Sequence, residues 1–107
     1  MSNGAPEGGA PEDRDQAVES MTGMVDRWKA RIDELKVQAD LGKLDVRDKA
    51  EKQLEIAQNA CLAAYSKLRD ARHDAAASAH SVRQSVEVLL HDIKEAFEAA
   101  QDVISRG

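Results

Sequence analysis

Apolar residues recur at alternating steps of four and three along almost the whole chain, and no proline interrupts them beyond Pro11. That spacing gathers them on one face of an α-helix and matches the seam of a coiled coil. The first block is Met21, Val25, Trp28, Ile32, Leu35 and Ala39, and the middle block is Leu54, Ala57, Cys61, Ala64, Leu68, Ala71 and Ala75. The last is Val82, Val86, Leu89, Ile93, Ala96, Ala100 and Val103, with Phe97 and Ile104 beside it. Between blocks the heptad register slips by one residue, near 46–54 and again near 75–82. At about 100° of rotation per residue, these slips bring all three blocks onto the same face. Steps of eleven show it directly, in the rows Leu35–Val46–Ala57–Leu68–Ala79 and Ala71–Val82–Ile93–Ile104. Such a period keeps a stripe nearly straight, so the pattern allows one very long helix without demanding it.

Two places can break that helix. Gly42 costs about 1 kcal/mol against alanine in a helix interior, and its neighbours Leu41 and Leu44 point away from the stripe. A break near 41–46 would leave Asp45 or Asp48 to cap a restarted helix, with Glu51 completing a capping box from Asp48. The second place is 73–81, HDAAASAHS, where Asp74, Ser78 and Ser81 are each capable N-caps and Gln84 lies three residues beyond Ser81. The turn is placed there by preference, because a hairpin lets the last segment cover the stripe of the middle one. Residues 1–13 hold both prolines and three of the six glycines, and almost nothing that could be buried. They read as a disordered tail before a helical domain over 14–106. The expected fold is therefore all-α: long amphipathic helices forming a helical hairpin or an elongated antiparallel coiled coil.

Composition narrows the function. One domain at most fits in 107 residues, and only 3% of them are aromatic: Trp28, Tyr65 and Phe97. Alanine carries much of the apolar count, which suits thin helix–helix seams better than a pocket enclosing a substrate. The net charge of −5 argues against a general nucleic-acid binder. Charge runs from −4 over residues 1–25 to +2 over 26–73 and −3 over 74–107, a distribution that favours antiparallel or staggered packing. Cys61 is the sole cysteine, so no disulfide forms within the chain. No signal-peptide pattern opens the sequence and no run approaches the ~20 apolar residues that span a bilayer. A cytoplasmic location is the expectation.

Candidate chemistry falls away on inspection. His73, His80 and His91 share one helical face, but the rise of ~1.5 Å per residue separates them by ~10 and ~16 Å, whereas two zinc-binding histidines on a helix sit four apart. Their face lies opposite the stripe, so the rings are expected in solvent. Cys61 sits on the stripe as a small hydrophobe. Glu87 and His91 are four apart and no second such pair exists, so the Glu-x-x-His pairs of di-iron bundles are missing. No phosphate loop or nucleophile elbow occurs. No catalytic, cofactor-binding or metal-binding residue is expected. The residues expected to act are those of a helix-packing interface: Trp28, Ile32, Leu35, Leu54, Cys61, Leu68, Val82, Val86, Leu89, Ile93 and Phe97.

Trp28, Ile32-Asp33-Glu34-Leu35, Glu51-Lys52-Gln53, Lys67-Leu68, Val86-Glu87 and Lys94-Glu95-Ala96-Phe97 resemble the pattern of a family of short bacterial coiled-coil proteins. Members are mostly described as hypothetical or stress-response proteins. The match runs without gaps from Trp28 to Phe97, and departs where the family has a tyrosine (Ala50 here), late tryptophans (Ala79 and Leu90) and a glycine or aspartate at its turn (Ala75-Ala76-Ala77). The resemblance implies a stress-associated role with no known active site. Together these readings give a non-enzymatic protein that associates with itself or with another helical protein, and with no nucleic acid. The alternative is a peripheral amphipathic helix on a lipid surface, ranked lower because the stripe is alanine-rich and the polar face is not basic.

Overall fold

The computed structural model describes residues 11–106, with side chains from residue 13. It contains three helices, α1 (Pro11–Asp40), α2 (Leu44–Arg72) and α3 (Ala79–Arg106), each packed against the other two. The chain runs up, down and up, so α1 and α3 are parallel to each other and antiparallel to α2. Each helix is ~42–45 Å long at ~1.5 Å per residue. Among the described residues there is no strand, and no helix is long and apolar enough to cross a membrane. The all-α expectation holds. The expected hairpin is present as α2 and α3, and α1 folds back to make the third member of a bundle.

Both expected interruptions are real, so the single continuous helix does not form. Their details differ from expectation. α1 is described from Pro11 onward, so helix already occupies residues 11–13 of the segment expected to be tail. Residues 1–10 of that expected tail lie outside the described residues. At the first break, Leu41 N–H donates to Gln38 O at 3.2 Å and Gly42 N–H to Ala39 O at 3.0 Å, tightening the end of α1. Lys43, not Asp45 or Asp48, occupies the N-cap position of α2, in extended backbone (φ −63°, ψ 154°) and without a side-chain cap. Asp45 instead lies in the first turn, where its charge favours the positive helix end. Starting at Leu44 keeps Ala50 and Leu54 on the buried face.

The second turn is held more firmly. Asp74 accepts a hydrogen bond from Ala76 N–H at 2.9 Å, an Asx-type turn. Ser78 then caps α3: its hydroxyl accepts from Ser81 N–H at 3.1 Å, while Ser81 Oγ accepts from Ser78 N–H at 3.0 Å. This reciprocal box uses Ser81 at the third helical position, so of the three candidate caps it is Ser78 that caps α3. Arg14, from the start of α1, donates to Asp74 O at 2.7 Å and ties α1 to this turn.

The three blocks of the stripe meet along the bundle axis. Met21, Val25, Ile32, Leu54, Val86 and Ile93 are buried to within about 1% of full enclosure. Removing each from water contributes roughly 1.5–3 kcal/mol. Ala57 and Ala64 of α2 and Ala96 and Ala100 of α3 are also buried, and their small side chains let helices approach closely. No polar or charged residue is buried among the described residues.

Candidate functional site

The interface predicted from sequence is spent mostly inside the chain. Ile32, Leu35, Leu54, Cys61, Leu68, Val82, Val86, Ile93 and Phe97 are buried in the one core. Trp28 and Leu89 are half-buried at its margin. Helix–helix association therefore occurs first within the molecule, and what remains for a partner is the edge of the seams.

The most structured edge is the α1–α3 seam. Trp28 on α1 meets Phe97 on α3 edge to face, with centroids 5.3 Å apart and planes at 67°. That geometry places the positive rim of one ring against the negative face of the other. The Arg31 guanidinium lies 4.5 Å from the Trp28 centroid and 4.8 Å from that of Phe97, a cation–π contact with both. The turn of α1 that carries Trp28 also presents Met24, Arg27 and Arg31, and with Leu90 of α3 they line a shallow groove. Neither Arg27 nor Arg31 forms an ion pair among the described residues.

On the α1–α2 seam, the Tyr65 hydroxyl donates to the Asp26 carboxylate. Burial, and then this bond to an anion, push the Tyr65 hydroxyl well above its ordinary pKa, since both disfavour a phenolate. Cys61 lies below, under the exposed Lys29–Asp33 ion pair of 3.3 Å. Burial raises its thiol pKa; Lys29 acts in the opposite direction and Asp33 reinforces the rise. Cys61 is 3% exposed and held as a thiol, the reverse of what a nucleophile or metal ligand needs.

The three histidines are all exposed. His91 pairs with Glu95 at 3.3 Å, and not with the equally spaced Glu87. Among the described residues no three of His, Cys, Asp and Glu come together as a metal-binding group. In the α2–α3 cleft near the turn, Asp70, Asp74, Ser81 and Ser85 share a polar hollow. There the Ser81 and Ser85 hydroxyls donate to backbone carbonyls, Ser78 O at 3.0 Å and Ser81 O at 2.9 Å.

Sequence reasoning missed Arg31, Tyr65 and Arg14. Arg31 carried one signal, its three-residue spacing from the only tryptophan. Tyr65 and Arg14 meet partners 39 and 60 positions away, and no periodicity marks such pairs. Set beside known proteins, the chain matches no family model, no curated protein and no solved structure.

Proposed function

We propose that this chain is a non-enzymatic helical interaction protein that works by helix–helix association, in the cytoplasm and in a stress-associated setting. The observation that supports it is the α1–α3 seam. On a chain of net charge −5, Arg27 and Arg31 have no carboxylate partner among the described residues and lie beside part-exposed Met24, Trp28 and Leu90. Cations flanking apolar surface complement a helix whose polar face is acidic. A second copy of this chain offers one in Glu95, Glu98 and Asp102, spaced three and four apart and all exposed on α3. The stress setting comes from the family resemblance alone. Reactivity has no support among the described residues, where burial favours the protonated forms of the two groups with displaced pKa values, Cys61 and Tyr65. The lipid-surface alternative is weakened by the stripe's large side chains, which face the core.

Sedimentation equilibrium over a concentration series tests the reading, with the wild type beside an Arg27→Glu/Arg31→Glu variant whose helicity is checked by circular dichroism. Association that weakens with salt and disappears in the folded variant is expected. A strict monomer throughout, or association indifferent to both salt and substitution, overturns it. A Trp28 fluorescence shift on adding anionic vesicles favours the lipid reading instead.

A further inference from the structure

We infer that α1 exchanges between two copies of this chain, through opening of the 41–43 turn into continuous helix. The stripe keeps its phase across this turn: Leu35, Val46 and Ala57 are eleven apart, so a straightened α1–α2 helix would present one unbroken face. Only three residues join the helices, and Gly42 alone among them disfavours helix.

The turn is also poorly secured. No side-chain hydrogen bond holds it among the described residues, Lys43 gives no cap, and Leu41 and Leu44 are 84% and 63% exposed. The N–H groups of Lys43, Leu44, Asp45 and Val46 have no protein acceptor among the described residues. In a continuous helix they would donate to the carbonyls of Ala39, Asp40, Leu41 and Gly42. The second turn differs on every point, with its Asx turn, its Ser78–Ser81 box and the Arg14 tie.

An opened monomer would expose the stripe of α1. A second copy restores every contact, because each α1 then packs on the α2 and α3 of its partner with the same residues as before. Closed monomer and exchanged dimer therefore differ mainly at the hinge, and concentration selects between them. Short hinge loops favour this form of exchange.

The inference deepens the association reading by naming the partner as a second copy, yet the two fail separately. Contact through the α1–α3 seam survives a longer 41–43 loop, whereas exchange does not.

The test refolds the protein at low and high concentration and separates monomer from dimer. Gly42→Ala should raise the dimerisation constant roughly 30-fold, about fivefold at each of two hinges. An added Gly-Ser-Gly after Gly42 should return the population to monomer. In a Cys61→Ser background, Lys29→Cys with Leu62→Cys places thiols across the α1–α2 groove that both residues line. A short bis-maleimide should then link monomers within one chain and dimers between chains. Dimers linked only within chains, or no dimer from Gly42→Ala at the highest concentration, overturn the inference.

Discussion

Trp28 and Phe97 meet edge to face at 5.3 Å and join α1 to α3, the one pair of helices that run parallel. No short loop connects these two helices, so their contact depends on side-chain packing. Arg31 over both rings extends it to the surface.

Phe97→Ala should destabilise the bundle by about 3–5 kcal/mol, through lost burial and an unfilled cavity. Thermal or urea unfolding followed by circular dichroism measures the loss. Trp28 emission should move to longer wavelength in the folded variant, since its packing partner is gone.

Arg31→Ala removes an exposed cation–π contact and should cost only about 0.5–1 kcal/mol. Its clearer mark is optical: acrylamide, an uncharged quencher, should quench Trp28 more strongly. Arg31→Lys should restore only part of the shielding, because a compact ammonium covers less ring surface than a guanidinium.

Tyr65 should resist ionisation. Its folded pKa is raised above the ordinary value near 10, so the folded state keeps a proton that the unfolded state releases. The associated stability is complete below the unfolded pKa and declines as pH rises above about 10. Absorbance titration should show phenolate appearing late, together with unfolding. Tyr65→Phe should abolish this part of the alkaline loss and cost about 0.5–1.5 kcal/mol at neutral pH, from the missing bond to Asp26.

Ser78→Ala should cost about 0.5–2 kcal/mol by removing the cap of α3. Chemical denaturation measures it. Lys43→Ala, at the uncapped start of α2, should stay within about 0.5 kcal/mol of wild type. Equal losses at the two positions would contradict the contrast between the turns.

Cys61 should react slowly with a thiol reagent while the bundle is closed, because burial denies access and thiolate alike. Labelling should accelerate in step with denaturant-induced opening. An interchain disulfide through Cys61 is accordingly disfavoured between intact bundles.

Much of the core was legible because a helix repeats its environment every three to four residues. Ile32, Leu54, Val86 and Ile93 could be named as buried from spacing alone, and the two interruptions from Gly42 and the serine-rich 73–81 segment. Capping was less legible. Asp45, Asp48, Ser78 and Ser81 are all competent caps, and the choice depends on which start keeps the following turns on the buried face. His91 shows the same limit at the surface: Glu87 and Glu95 are equally spaced from it, and the structure pairs it with Glu95.

The residue order by itself determined that this chain is helical, where its stripe lies and where the helix can break, since each follows from local geometry and propensity. Closure was decided by tertiary structure. A stripe that stays in phase through Gly42 fits a straight helix as well as a folded one. α1 turns back because a single chain can cover its stripe only by folding all three segments around one axis. The same closure makes neighbours of Trp28 and Phe97, of Tyr65 and Asp26, and of Arg14 and the second turn, contacts that no local spacing encodes.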